Sequence, residues 1–179
     1  LCAIFLYNEV MKNNFFVILS TFFLVGCTPV QQEEEKEQSK ATDAYGAFLG
    51  RSDNNTEGFE NYKYISLELD EYTDSTIHDL NTKEIYTFAY LNVGSLENYR
   101  DYYDDFKHLS IGVYEDWEDE VWIDVSDTSW QNFVINSLAK SFKDKGAYGV
   151  YLDNVDVYSV CKEMKRNAEE VVSGIKFII

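Results

Sequence analysis

The sequence predicts an α/β fold built on a parallel β-sheet, because short apolar runs alternate with segments of helical periodicity along most of the chain. The clearest run covers 149–152 and is followed at once by Asp153, Asn154 and Asp156. Acidic groups directly after a parallel strand lie where α/β barrels keep their chemistry, since the strand fixes them rigidly and the next loop opens the site. We therefore expect Asp153 and Asp156 to be catalytic. The alternative is that both only cap the following helix.

Three strands are predicted ahead of this run, over 45–49, 64–69 and 85–93. Gly50 ends the first and Gly94 ends the third, because glycine commonly marks the change from a strand to a turn. A short helix is predicted over 76–80, between the second and third strands.

Two longer helices are predicted next. The first begins at Ser95, a favourable N-cap residue, and has Glu97 in its first turn. Its apolar stripe consists of Leu96, Tyr99, Tyr103 and Phe106. The second helix ends at Gly146. One face of that helix carries Trp130, Phe133, Val134, Ser137, Leu138 and Ser141.

The last third of the chain predicts a fourth strand over 150–152, a helix over 160–172 and a fifth strand over 175–179. Strands that alternate with helices favour right-handed crossovers between parallel neighbours. The apolar segment 121–125 falls outside this alternation, and we expect it to lie across the mouth of the barrel.

Length and charge restrict the function. The chain has 179 residues, fewer than the roughly 250 of a complete eight-stranded α/β barrel. Its 15 basic and 32 acidic residues give a formal charge of −17, which disfavours electrostatic binding to nucleic acid or to an anionic membrane. A cationic partner would be attracted. The alternative is that the acidity only keeps a secreted protein soluble.

The N-terminal region has the features of an export signal. Met11 and Lys12 precede a short apolar stretch over 15–24, and 24–27 resembles a bacterial lipobox that ends at Cys27. We expect translation to start at Met11, residues 1–26 to be upstream sequence and signal peptide, and Cys27 to carry lipid. The protein would then be anchored in the bacterial cell envelope, facing outside the cytoplasm. The polar segment 27–42 reads as a tether and 43–179 as the folded domain.

The remaining cysteines and the histidines give no sign of a disulfide framework or a metal site. Cys2 lies upstream of the expected start, so Cys161 is the single cysteine of the mature domain. With His78 and His108 as the sole histidines, the sequence predicts no metal cluster, and we expect Cys161 to be a small buried apolar residue.

Further polar and aromatic residues follow the predicted strands or lie in the insert. They are Glu68, Asn92, Glu97, Trp117, Glu120, Asp124 and Asn154. Carboxylates beside aromatic faces suit a sugar, because rings stack on its apolar faces while acids bind hydroxyls or amines. We expect these seven to bind substrate. The structural alternatives are that Asn92 and Glu97 only stabilise a turn and that the tryptophans pack in the core, with Arg100 paired to Glu97.

The motifs over 89–100, 117–125 and 149–158 resemble, in order and spacing, those of the endo-α-1,4-polygalactosaminidase-like glycoside hydrolases, family 114. The resemblance implies a (β/α)8 TIM barrel, of which this chain covers about the first five strands. It also implies cleavage of α-1,4-linked galactosamine polymers without metal or organic cofactor. Such a polymer is cationic, which matches the acidic chain. The family's catalytic pair is an Asp after strand four and a Glu after strand six; Asp153 matches the Asp best and Asp156 second.

The chain departs from the family at its C-terminus. It ends at Ile179, inside the predicted fifth strand, so the strand-six Glu has no counterpart in it. We therefore expect this truncated chain to be inactive. Two alternatives are a non-catalytic carbohydrate-binding surface lipoprotein and a decayed gene without a stable product.

Overall fold

The computed structural model describes residues 44–115 and 117–179. The expected signal peptide, the lipid anchor at Cys27 and the tether over 27–42 lie outside the described residues, so these remain predictions. Among the described residues, no helix has the length and apolar character to cross a membrane.

Four parallel strands form the main sheet, and they confirm the predicted α/β class. The strands are β1 (Tyr45–Ala47), β2 (Tyr64–Leu67), β3 (Tyr86–Asn92) and β7 (Gly149–Asp153). They lie side by side in the order β1-β2-β3-β7. Asn92 is paired with Asp153 in the register of β3 and β7, so these two strands end at the same level. The four strands coincide with four of the five predicted from the sequence.

The two faces of this sheet differ. Alternate side chains on one face, among them Ile65, Leu91 and Leu152, are buried in the hydrophobic core. Aromatic rings crowd the other face, where Tyr64 and Tyr86 stack with centroids 5.8 Å apart and Tyr90 and Tyr151 with centroids 6.1 Å apart.

The helices pack against the core face. α1 (Asp74–Thr82) contains the predicted 76–80 segment and is capped by the Thr73 side chain, which accepts from the Thr76 N–H. α3 (Thr128–Phe133), a π-helical segment (Val134–Ala139) and α4 (Lys140–Asp144) follow one another without a break. Gly146 has φ +99°, as a glycine that ends a helix often does, and this confirms the predicted helix end.

The predicted helix from Ser95 is wrong. Ser95–Glu97 forms strand β4, and helical structure is confined to α2 (Tyr103–Phe106) and one 3-10 turn at Lys107–Leu109. The segment instead pairs antiparallel with β6 (Glu120–Ile123), which also pairs with β5 (Ser110–Val113). Tertiary pairing with a strand some 25 residues away thus overrides local propensity. The apolar segment 121–125 supplies most of β6, the centre of this second sheet, which has the order β4-β6-β5.

The C-terminal assignment is also wrong. The predicted strand over 175–179 is instead helical up to Ile178, in α5 (Ala168–Ile178). The predicted helix over 160–172 is helical only from Ala168, with turns over 160–165. Asn167 caps α5 by accepting from the Glu169 N–H, and Val171 and Ile175 turn one face of it to the core. A short apolar run does not distinguish a strand from a buried helical segment.

Candidate functional site

A cavity of about 750 Å³ opens at the carboxyl ends of the parallel strands. Glu68 follows β2, Tyr90 lies on β3 and Asp153 ends β7, while the small antiparallel sheet supplies Glu120. This is the edge at which α/β barrels assemble their sites. The other lining residues are Leu49, Gly50, Arg51, Ser52, Asp70, Glu71, Tyr99, Arg100, Tyr114, Trp117 and Asn154.

Hydrogen bonds hold both carboxylate oxygens of Asp153. The Tyr90 hydroxyl donates to Oδ2 at 2.8 Å, and the Asn154 backbone N–H donates to Oδ1 at 2.9 Å. Burial, and then the charge of Asp153, raise the pKa of Tyr90 far above its usual range, so this hydroxyl keeps its proton and remains a donor. Asp153 is therefore a fixed carboxylate at the wall of the cavity.

Beside Asp153 lies a network of four polar side chains, which we call the polar node: Asn92, Ser95, Glu120 and Asn154. Asn154 Nδ2 donates to Asn92 Oδ1 at 3.1 Å and to Ser95 Oγ at 2.9 Å. Glu120 Oε2 accepts from the Ser95 hydroxyl and, at 3.2 Å, from Asn92 Nδ2. The Ser95 N–H donates to Asn92 Oδ1 at 3.1 Å. The polar node joins the ends of β3 and β7 to both strands of the β4-β6 pair.

Glu120 is the titratable member of the polar node. Burial raises the pKa of its carboxyl, and the charges of Glu97 and Asp153 raise it further, while the bonds from Ser95 and Asn92 oppose this. Because donors from two elements fix Oε2, the Glu120 side chain is held in one orientation at the cavity wall.

A second charged cluster surrounds Arg100. Its guanidinium donates to both carboxylate oxygens of Glu68, at 2.9 and 3.2 Å, and to both of Glu97, at 3.1 and 3.0 Å. The expected pairing of Arg100 with Glu97 is confirmed, although no helix connects them. Glu97 is buried, and burial also raises the pKa of Glu68 against the opposing effect of Arg100. The trio carries one net negative charge.

The structure separates the candidate residues into two groups. Asp153, Asn154, Glu68, Glu120 and Trp117 line the cavity. Four others are not among its lining residues: Asn92, Glu97, Asp124 and Asp156.

Asn92 and Glu97 contact residues that do line the cavity, because Asn92 donates to Glu120 and Glu97 accepts from Arg100. Asp124 is directed elsewhere, because it pairs with Arg166 and accepts from the Ser126 hydroxyl at 2.6 Å. Asp156 precedes the 3-10 turn at Val157–Ser159 and makes no side-chain cap bond to it, so the helix-cap alternative is wrong for Asp156.

Two of the four aromatic residues that line the cavity are largely exposed. Trp117 is 61% exposed and Tyr99 is 63% exposed. The expectation that Tyr99 belongs to a buried stripe is therefore wrong. Trp122 and Trp130 are buried, as the packing alternative predicts, and Trp122 stacks on Tyr114 with centroids 4.1 Å apart.

Among the lining residues that the sequence did not indicate as candidates are Tyr90, Tyr99, Arg51 and Tyr114. A signal existed for Tyr90, because it lies two positions before Asn92 on the same strand and must share its face. Arg51 and Tyr114 lie in loops, where spacing gives no direction.

No group of three His, Cys, Asp or Glu side chains is placed to hold a metal ion within 44–115 and 117–179. Cys161 is fully buried and its thiol lies 3.7 Å from the Val157 carbonyl, as expected for an apolar core residue. The chemical groups of the cavity are carboxylates, two guanidinium groups, hydroxyl groups, the amide of Asn154 and exposed rings. Such groups suit binding and acid/base chemistry on a sugar.

Comparison with known proteins agrees with this chemistry. The model of glycoside-hydrolase family GH114 matches residues 27–179. An uncharacterized protein of Thermotoga maritima is 26% identical over 161 residues, which cover 83% of this chain and 49% of that protein.

Solved structures show the same fold. Aspergillus fumigatus Ega3, in complex with galactosamine, superposes with a TM-score of 0.67 at 25% identity, over 76% of this chain and 53% of Ega3. The glycoside hydrolase domain of PelA from Pseudomonas aeruginosa superposes with a TM-score of 0.59 at 15% identity, over 75% and 51%. The chain thus spans about half the length of these relatives. The likenesses confirm the expected fold class, with the four parallel strands as one part of a TIM barrel.

Proposed function

The chain belongs to glycoside-hydrolase family GH114, and from this membership we propose that it functions in hydrolysis of an α-1,4-linked polysaccharide that contains galactosamine. One observation carries the proposal: Asp153 stands at the cavity wall with both carboxylate oxygens held by donors from neighbouring residues. A fixed carboxylate at the end of a barrel strand is what glycosidases use at the anomeric carbon.

Asp153 has a defined part in this reaction. The transition state of glycoside hydrolysis resembles an oxocarbenium ion, and a carboxylate close to the anomeric carbon stabilises its positive charge or attacks it. The donors from Tyr90 and Asn154 keep the carboxylate in position without rearrangement during the reaction. A second carboxyl group protonates the leaving oxygen in such a mechanism.

The charge of the cavity supports an amino-sugar substrate. Its lining contains five carboxylates against two guanidinium groups, a net of −3 from −5 and +2. The carboxylates belong to Glu68, Asp70, Glu71, Glu120 and Asp153, and the guanidinium groups to Arg51 and Arg100. A deacetylated galactosamine polymer carries ammonium groups that would be attracted to this field. The complex of Ega3 with galactosamine is consistent with such a substrate.

The exposed rings support a carbohydrate as well. Trp117 and Tyr99 offer aromatic faces at the cavity, and sugar rings stack on such faces through their apolar C–H groups. We propose that these two residues contact sugar units beside the one that reacts.

The test uses the natural protein, isolated from the cells that produce it. Release of new reducing ends from α-1,4-linked polygalactosamine is measured before and after chemical N-acetylation of the polymer. We expect hydrolysis of the cationic form. Binding of the polymer without hydrolysis would instead support a non-catalytic carbohydrate-binding protein. The absence of both binding and hydrolysis would overturn the proposal.

We also propose that the protein is held at the bacterial envelope by lipid on Cys27. The lipobox-like segment 24–27 after an apolar stretch supports this.

A further inference from the structure

We infer that Asn154 is a positioning residue for Asp153. Because the Asn154 side chain is held in the polar node, its backbone N–H is directed to the Asp153 carboxylate. The inference rests on the proposed role of Asp153. It assigns to Asn154 a part in the reaction without contact to the substrate.

The backbone of Asn154 has an uncommon conformation. Its φ is +54°, in the left-handed region that residues other than glycine seldom adopt and that asparagine tolerates better than most. In this conformation the Asn154 N–H points back to Asp153 Oδ1 at 2.9 Å.

The Asn154 side chain is fully engaged and nearly buried, with 8% exposure. Its amide nitrogen has two hydrogens, and these go to Asn92 Oδ1 and Ser95 Oγ. Its amide oxygen accepts from the Tyr114 hydroxyl at 3.2 Å. With both hydrogens of its amide nitrogen already donated, this side chain has no donor left for a sugar, so its polar groups serve to hold the residue.

The facing backbone confirms how closely Asn154 is seated. The Asn154 carbonyl lies against Gly94, where an added Cβ would overlap its oxygen. The side chain and the carbonyl of Asn154 are thus both held in place. Together they keep the backbone of Asn154 in the left-handed conformation that directs its N–H to Asp153. If the side-chain bonds were lost, the backbone would relax toward negative φ and the N–H would leave the carboxylate.

The test compares three variants of the protein as its cells make it. Asn154→Ala removes the side-chain hydrogen bonds of Asn154. Asn154→Gly removes them as well but lets the backbone reach positive φ at no steric cost. Asn81→Ala is the matched control, because Asn81 also anchors a left-handed residue, donating at 2.8 Å to the Gly146 carbonyl, and is not among the residues that line the cavity. The measurements are kcat and KM on polygalactosamine, Tm, and amide hydrogen exchange at residue 154.

We expect Asn154→Ala to lower kcat by about a hundredfold, since small displacements of a reacting group have effects of that order. KM should change less than about threefold, and exchange at residue 154 should accelerate. Asn154→Gly should recover part of kcat. Asn81→Ala should lower Tm without changing kcat or exchange at residue 154.

Unchanged kcat in Asn154→Ala, or equal kcat losses in Asn154→Ala and Asn81→Ala at equal Tm loss, would overturn the inference. The exchange measurement needs no substrate. Absence of hydrolysis by the wild type therefore counts against the proposed function, whereas slow exchange at residue 154 that persists in Asn154→Ala counts against the positioning role.

Discussion

The hydroxyl of Tyr90 donates a hydrogen bond of 2.8 Å to Oδ2 of Asp153, from the neighbouring strand of the same sheet. Tyr90 is opposite Tyr151 in the register, and Asp153 is the next residue on that face of β7. The bond therefore runs diagonally toward the strand ends, which directs the carboxylate to the cavity. This diagonal contact supports a catalytic role for Asp153 and leads to the first prediction.

Asp153→Asn should lower kcat on polygalactosamine by at least about a hundredfold, because the neutral amide lacks the charge that the transition state requires. Its shape is nearly unchanged, so Tm should fall by a few degrees at most. Steady-state kinetics and a thermal melt check both. Asp156→Asn is the control, and loss of turnover there but not in Asp153→Asn would reverse the assignment.

Gly94→Ala should destabilise the protein by about 3 kcal/mol, because the new methyl group would overlap the Asn154 carbonyl oxygen and the backbone must shift. Urea denaturation measures the change. Gly50→Ala is the matched control: Gly50 has φ +78° with no atom within 4 Å of an added Cβ, so it isolates the backbone cost of about 1–2 kcal/mol. Equal losses in the two variants would contradict the overlap.

Glu120→Gln should change how stability depends on pH. Burial raises the folded-state pKa of Glu120 above the ordinary glutamate value of about 4.3, so the folded state binds more protons than the unfolded state in the window above that value. Wild-type stability therefore falls as pH rises through this window. The glutamine variant should show a Tm gain over the wild type that is larger at pH 7 than at pH 4.

The control for Glu120→Gln is Glu118→Gln, which removes one negative charge from an exposed position two residues away. Thermal melts at both pH values compare the two variants. If their Tm differences from the wild type changed equally with pH, burial of Glu120 would not be the cause.

Arg100→Met should cost about 3–5 kcal/mol, because it leaves the buried Glu97 and the partly buried Glu68 without their shared cation. Adding Glu68→Gln should restore part of this loss by removing one of the two facing carboxylates. A double-mutant cycle from urea denaturation gives the coupling energy. Additive losses would mean that the cluster does not act as a unit.

Cys27→Ala should abolish incorporation of labelled fatty acid into the protein, because the thiol of Cys27 is the expected site of lipid attachment. Metabolic labelling in an expressing bacterium measures this, with Cys161→Ala as the control for a buried thiol. Equal label in the wild type and Cys27→Ala would exclude the anchor.

The location of the site was predictable because one geometric rule decides it. Parallel strands bring their carboxyl ends to one edge, so Glu68 and Asp153 meet at a shared cavity although 85 positions separate them in the numbering. The individual roles were less predictable. Asn154 and Asn92 have amide side chains of the kind that bind sugars, yet these amides form hydrogen bonds with one another. No spacing in the sequence indicates such pairing.

Local signals failed where distant partners decide the conformation. Ser95 has the features of an N-cap, but its hydroxyl and N–H bond to Glu120 and Asn92, and 95–97 becomes a strand because 120–122 offers a partner. The run over 175–179 failed for another reason, since its four apolar residues fit the end of an amphipathic helix as well as a strand.

The three tryptophans occupy three different surroundings, so their fluorescence reports on different parts of the protein. The indole N–H of the fully buried Trp130 donates to the Val93 carbonyl at 2.9 Å, directly behind the end of β3, whereas Trp117 stands in solvent at the cavity. Emission from Trp117 should shift when a sugar covers its ring, and emission from Trp130 should shift when the strand end separates from the helix. A single fluorescence spectrum can thus distinguish occupancy of the cavity from loss of the structure that supports it.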